Sequence, residues 1–243
     1  MDKVTIITVC YNSEKYITQT IESVLNQSYR NIEYVIIDGK STDGTMDIID
    51  KYKSSFGERL KVVSEKDKGI YDAMNKGVAL ASGEMIGIVN SDDFLETDAV
   101  ENVMAKYKPE EPYQVIYGMV RGIQEEEEEK VYIYNHQFLK KRMIGHPGCF
   151  VSKKTYEEFG GFDTRYRIAA DYDFLLRLFL SNKVLFNPLY KVVTNFRSGG
   201  ASASRRTELE VNEVKFRYGI ITKKEHFRNK LMKKLAIGIL GEK

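Results

Sequence analysis

The chain has few cysteines, no surplus of charge of either sign and no long apolar run, and each shortage closes off a class of protein. Its two cysteines, Cys10 and Cys149, cannot frame a disulfide-rich fold. Both lie in apolar stretches, which suits buried thiols in a reducing compartment. Lys and Arg number 37 against 35 Asp and Glu, a net charge of +2, so the basic stripe that tracks a phosphate backbone is missing and nucleic acid is not an expected partner. Every apolar run falls short of the ~18 residues that span a bilayer. Strand-like Val4-Thr5-Ile6-Ile7-Thr8-Val9 starts at once, with no secretory leader before it. The expectation is a cytoplasmic chain, neither secreted, membrane-spanning nor disordered. P-loop and dinucleotide glycine fingerprints, internal repeats and clean linkers are also missing.

What is present fits one large α/β domain, or two halves sharing a core, in 243 residues. Residues 4–9 and Ile32 to Ile37 read as strands, as do Leu60 to Val63 and Met85 to Val89. Between them, helical spacing joins Ile17, Ile21, Val24 and Leu25 behind the cap formers Asn12 and Ser13, then Met46, Ile49 and Tyr52, then Ile70 to Leu80. Strand–helix alternation implies a parallel sheet with right-handed crossovers, and ligands bind such sheets beyond the carboxyl ends of the strands. The polar stretches 10–12, 38–43 and 90–93 each follow a strand and should share one rim.

After residue 110 the rhythm changes. Val115 to Val120 and Val131 to Tyr134 look paired around Glu125 to Glu129, an acidic run expected to be a solvated loop or hairpin tip. His146-Pro147-Gly148 opens a short strand, Cys149 to Val151; Tyr172 to Leu180 reads as a buried helix and Val192 to Phe196 as a late strand. Ser198-Gly199-Gly200-Ala201-Ser202 has the composition of a flexible loop.

Asp92-Asp93, two acids at a strand mouth, repel unless a cation joins them; Mg²⁺ or Mn²⁺ fits, or the pair starts a turn and caps a helix. In Asp38-Gly39-Lys40-Ser41-Thr42-Asp43-Gly44-Thr45, Thr42 or Asp43 can cap the next helix, leaving Asp38 free to bind something. In Asp67-Lys68-Gly69, Gly69 opens a helix whose free N–H groups favour negative charge.

As an ordered set these stretches resemble the nucleotide-sugar half of family-2 glycosyltransferases of the GT-A fold. The set comprises Thr8-Val9-Cys10-Tyr11-Asn12, Asp38 with Ser41 to Thr45, Gly69 to Gly77, Gly83-Glu84 and Ser91-Asp92-Asp93. Gly160-Gly161-Phe162-Asp163 and Ala170-Asp171-Tyr172-Asp173 through Arg177 resemble the acceptor half, so the likeness covers roughly residues 3–200. It implies an α/β, Rossmann-like, mostly parallel sheet flanked by helices over residues 1–222. Residues 1–110 would be the donor half, 111–222 the acceptor half and 223–243 a C-terminal helical extension. It implies metal-dependent, inverting transfer from a nucleotide-sugar, of the UDP class, to a saccharide on a polyprenyl diphosphate carrier in surface polysaccharide synthesis.

The resemblance also implies roles. Tyr11 would stack on the base, with Asp38 and Asp67 at the nucleoside, Asp92 at ribose and metal, and Asp93 holding Mn²⁺ or Mg²⁺ against the diphosphate. Thr8, Asn12, Ser41, Lys68, Gly69 and Asn75 would surround the donor. Many members carry two adjacent acids where this chain has Asp38-Gly39, which leaves uracil or guanine open. Asp171 would be the general base, although as a bare sequence feature it could equally cap a helix. The family pairs Glu with Asp here; this chain has Ala170-Asp171. His146 would touch the sugar or be structural, and Arg197 would pair with diphosphate or lie on the surface.

From Lys223 to Lys243, seven Lys and Arg stand against two Glu, with Phe227, Leu231, Leu235 and Ile239 every fourth residue. Such a helix can lie on an anionic inner leaflet, pack on its own domain, or join a homodimer. Two rival classes are a sugar-phosphate nucleotidylyltransferase, which needs a Gly- and Arg-rich loop where Cys10-Tyr11-Asn12 stands, and a non-catalytic nucleotide-sugar-binding module.

Overall fold

Seven consecutive residues of β1 (Val4–Cys10) are buried, the pattern of a central strand covered on both faces. The structure, a computed structural model, describes residues 1–124, 126–199 and 205–240, without the side chains at 205 and 234–240. The expected residues Glu125, Gly200, Ala201 and Ser202, and the side chains of Leu235 and Ile239, lie outside that description.

Alternate residues of β1 enter different cores. Val4, Ile6 and Cys10 face one way, with Ile17 and Ile21 of α1 (Ile17–Leu25) and Ile49 of α2 (Thr45–Phe56). Ile7 and Val9 face the other, with Met74 of α3 (Ile70–Leu80). Burying each such aliphatic chain contributes about 1.5–3 kcal/mol before entropy is counted. β2 (Ile32–Asp38) runs parallel to β1 with Cys10 opposite Asp38, and β3 (Leu60–Ser64) parallel to β2 with Asp38 opposite Ser64. β4 (Met85–Ile88) lies parallel on the far side of β1. The strands therefore end level, and their following loops form one rim.

The remaining strands are β5 (Phe94–Leu95), β6 (Gln114–Gln124), β7 (Glu127–Tyr132), β8 (Cys149–Ser152) and β9 (Leu185–Arg197). Among the described residues they complete one mixed sheet in the order β3-β2-β1-β4-β8-β6-β9-β5, with β7 on β6. β8 joins β4 and β6 antiparallel, while β9 runs parallel to β6. The helices α4 (Ala99–Met104), α5 (Lys153–Phe159), α6 (Ala170–Leu180), α7 (Arg205–Arg217) and α8 (Lys223–Leu240) complete the chain.

Several local expectations need correction. Asn12 and Ser13 do not cap α1 with their side chains: the helix starts at Ile17 behind Tyr16, and Asn12 takes a left-handed turn at φ 49°. β9 is longer than Val192 to Phe196, because Asn187, Pro188 and Lys191 interrupt the apolar pattern while irregular register at Gly118–Val120 absorbs the mismatch. The glutamate run, by contrast, lies at the tip of the β6–β7 hairpin as expected, and there Glu126 and Glu128 also pair with Arg197 and Arg121. α7, α5, α4 and β5 carried no periodic signal strong enough to be read.

Candidate donor and acceptor site

The level ends of β1 and β2 bring Tyr11 beside Gly39. Tyr11 is 62% exposed, an aromatic ring presented to solvent at the rim. Beneath it, Asp38 is fully buried and does not stand free as expected. Its carboxylate accepts from the amides of Lys40 and Ser41 and from the hydroxyls of Ser41 and Ser64. Ser41 Oγ in turn accepts from the Asn12 amide at 2.8 Å, and Asn12 Oδ1 accepts from the Thr42 amide at 2.8 Å. Asp38, Ser41 and Asn12 thus shape the rim from within. Thr8 is also buried, accepting from Tyr34 Oη at 2.9 Å, and does not reach the cleft. Two corrections of direction explain this: a strand-end residue is legible in sequence, but not whether it points out or back into the turn.

The outward carboxylate comes from the next loop. Asp67 is half-buried and accepts the Gly69 amide at 2.9 Å through Oδ1. A Cβ at Gly39 would lie 2.6 Å from Asp67 Oδ2 and 3.4 Å from the Tyr11 ring. Asp67 therefore fills the place of a side chain at position 39. Gly69 holds φ 123°, a conformation that favours glycine, and its exposed turn presents Lys68 and the start of α3 to the same cleft.

The Asp92-Asp93 turn is fixed from three sides. Thr20 Oγ1 donates to Asp93 O at 2.6 Å, Ser13 and Ser91 hydroxyls lie 2.7 Å apart, and Asn90 Nδ2 donates to Asp93 Oδ2 at 3.0 Å. Asp93 has 0% exposure, and its Oδ1 accepts the Arg197 amide at 2.9 Å. Burial first, and the adjacent Asp92 second, push its carboxyl up to about 8. Asp93 is thus buried against Asn90 and the Arg197 amide, while Asp92 is half-buried. Among the described residues no group of three His, Cys, Asp or Glu could hold a metal ion by itself. A hard cation held by one carboxylate and substrate phosphates is still chemically consistent with Asp92. Asn90 Oδ1, buried without a hydrogen-bond partner among the described residues, supplies a second oxygen of the right kind nearby.

Arg197 is corrected too. Its guanidinium is 9% exposed, bonds Glu126 with both Nε and Nη2, reaches Gln19 and the Asp92 carbonyl, and lies 4.3 Å from the Tyr16 ring centroid. It braces the Asp92-Asp93 turn rather than presenting a fork to diphosphate. Glu126 and Gln19 were missed because nothing local marks a distant ion-pair partner.

The acceptor side forms around the first turn of α6. Asp171 is half-buried; its Oδ1 accepts from the Tyr172 amide at 2.8 Å and Tyr71 Oη at 3.0 Å. Burial raises its pKa, opposed by His146, the Tyr172 amide and Tyr71. His146 is buried edge-on to Phe162, and burial lowers its pKa while the Asp171 charge opposes that shift. Asn75, expected at the donor, instead grips Phe162 reciprocally: its Nδ2 donates to Phe162 O and its Oδ1 accepts from Phe162 N, both at 2.8 Å. It ties the Gly160–Asp163 segment to α3. Thr194 Oγ1 donates to Pro147 O at 2.7 Å, linking β9, whose end meets Asp93, to the segment carrying His146. Contacts thus run from the Asp92-Asp93 turn through β9 to the segment carrying His146, from His146 to Phe162, and from Asp171 through Tyr71 to the start of α3.

The family model described as Glycosyl transferase family 2 matches residues 5–173. A PGL/p-HBAD biosynthesis glycosyltransferase of Mycobacterium tuberculosis (strain ATCC 25177 / H37Ra) is 31% identical over 191 residues, 78% of this chain and 75% of that protein. A chondroitin synthase of Escherichia coli is 34% identical over 180 residues, 72% of this chain and 26% of the synthase. S. aureus TarS 1-349, solved in complex with UDP-GlcNAc, matches with a TM-score of 0.71 at 19% identity, over 98% of this chain and 73% of that one. Mannosyltransferase PcManGT from Pyrobaculum calidifontis, solved with GDP-Man and Mn²⁺, matches with a TM-score of 0.65 at 18% identity, over 99% and 71% of the two chains. At those identities the two structures show a shared GT-A-like α/β fold.

Proposed function

The chain belongs to glycosyl transferase family 2, and from that premise we propose that it transfers a sugar from a UDP-linked donor to a saccharide hydroxyl on a polyprenyl diphosphate carrier, in bacterial surface polysaccharide synthesis. Family membership sets aside the nucleotidylyltransferase and non-catalytic readings. The observation that supports the proposal is that Tyr71, two residues beyond the Asp67–Gly69 loop, bonds Asp171, while β9 bonds both Asp93 and the segment carrying His146.

Tyr11 stacks on the base and Asp67 accepts from the nucleoside. The start of α3, with Lys68 and Gly69, adds positive potential for the diphosphate. Asp92 would hold Mn²⁺ or Mg²⁺, and such an ion would offset charge growing on the leaving diphosphate, an effect of roughly several kcal/mol. The acceptor oxygen bonds to the anomeric carbon as the bond from that carbon to the β-phosphate oxygen breaks. The bond's electron pair leaves with the nucleoside diphosphate, the acceptor proton passes to Asp171, and the configuration inverts. A positioned base typically contributes ~10²–10⁴-fold. His146 fixes the field around that base from its buried position.

No helix among the described residues is long and apolar enough to cross a membrane. The exposed face of α8 instead fits peripheral contact with the cytoplasmic leaflet. Phe227 and Leu231 are 58% and 61% exposed, beside exposed Lys224 and Arg228, while His226 is buried against Asn212 of α7. Titration with UDP and GDP, with and without Mn²⁺, tests the donor assignment. The expected result is UDP binding strengthened by metal, with that dependence lost in Asp92→Asn. A preference for GDP, or equal UDP binding in chelator, would contradict it.

A further inference from the structure

Tyr71 lies in the first turn of α3, buried, with its ring 5.6 Å from that of Phe162. Its Oη is 2.6 Å from the Ile168 carbonyl oxygen and 3.0 Å from Asp171 Oδ1. One hydroxyl proton therefore has two acceptors on the same segment of chain. Only one of them changes charge when a proton arrives.

Resting on the assignment of Asp171 as base, we propose that Tyr71 is the positioning residue for it: a hydroxyl that donates its hydrogen bond to Asp171 while that is a carboxylate and turns the same O–H to the Ile168 carbonyl once Asp171 is protonated. The Tyr71 and Tyr172 donors both meet Oδ1, which assigns proton uptake to Oδ2. No heavy atom has to move between the two states, because both acceptors are already within hydrogen-bond distance.

The second acceptor is held as firmly as the first. Glu210 of α7 accepts the amides of Arg167, Ile168 and Ala169 at 3.0, 2.8 and 2.9 Å, fixing the peptide groups around the Ile168 carbonyl. Burial first, then the Asp171 charge, push the Tyr71 phenol far above its ordinary range, so the donor stays protonated wherever the enzyme works. The other titratable groups acting on this pair are His146, which favours the Asp171 carboxylate, the buried Cys149 thiol, and Glu210. Burial lowers the His146 pKa and raises that of the Cys149 thiol, whereas Tyr71 is a direct hydrogen-bond donor whose loss alters the base.

The test is the pH dependence of single-turnover transfer in Tyr71→Phe. Phenylalanine keeps the ring against Phe162 and removes only the donor. The carboxylate then loses a charge-assisted hydrogen bond, so the acid limb moves to higher pH by about one unit and the rate constant falls about tenfold, with UDP affinity unchanged. Site-specific 3-fluorotyrosine at position 71, a stronger donor, moves the limb the other way, and a melting curve reports folding of each variant. A wild-type acid limb in both variants would overturn the proposal, as would loss of UDP affinity with no limb shift. Asp171→Asn separates the two levels: if it is inactive while Tyr71→Phe keeps the wild-type profile, the base stands and the tyrosine role falls. If Asp171→Asn transfers sugar normally, both fall.

Discussion

Gly39 and Asp67 occupy one volume between them. A side chain at 39 would begin 2.6 Å from Asp67 Oδ2, so only one of the two positions can hold a carboxylate comfortably. Asp67→Ala is expected to weaken UDP about tenfold, the worth of one charge-assisted hydrogen bond. Gly39→Asp alone is expected to weaken it as well, by steric conflict, and Gly39→Asp combined with Asp67→Gly to recover much of the loss. Calorimetric UDP affinities of the three variants check this, and a double variant worse than either single would refute the shared volume. Residue types at this site were legible in the sequence because acids and an aromatic follow predicted strands. Their directions were not. Asp38, Asp93, Asn75 and Arg197 all turn toward protein partners that lie between 2 and 178 positions away in the chain.

At the scale of elements, α3 serves both halves of the cleft. Its first turn follows the Asp67–Gly69 loop, Tyr71 bonds Asp171, and Asn75 holds the Phe162 peptide by two hydrogen bonds. Asn75→Ala is expected to loosen the Gly160–Asp163 segment by about 1–3 kcal/mol while leaving UDP affinity intact. Faster amide exchange at Phe162 would show it; weaker UDP binding with unchanged exchange would restore Asn75 to the donor site. The helix itself was readable from Gly69 and the apolar spacing that follows, and so were the parallel strands β1 to β4. The length of β9 was not, because Pro188 and Lys191 are tolerated where its register with β6 is irregular. The helical tail α8 was read from its sequence, but the structure packs His226 rather than Phe227 or Leu231 against α7. Phe227→Ser with Leu231→Ser should abolish binding to anionic vesicles without affecting the melting temperature. Undiminished binding would place the contact elsewhere.

For the whole molecule, the stability of the central sheet depends on a buried carboxylate. Burial opposes the charge on Glu33, but Lys61 at 2.6 Å, the Ser82 amide and the Thr5 and Ser82 hydroxyls outweigh it, and the carboxyl falls to about 2. A depressed folded pKa stabilises above the unfolded value of 4.5, and the gain is lost as pH falls from there toward 2. Glu33→Gln is therefore expected to cost about 1–3 kcal/mol at pH 7 and nearly nothing at pH 2. Denaturant melts at the two pH values measure it, and an equal loss at both would mean the ion pair is not responsible.

That same sheet carries the loops of the proposed site, and the most direct test of the account lies there. Asp171→Asn keeps the shape of the site and removes the proton acceptor. Its single-turnover transfer should fall by ~10²–10⁴-fold while its UDP affinity stays at the wild-type value. Wild-type transfer by Asp171→Asn would contradict the assignment of the base.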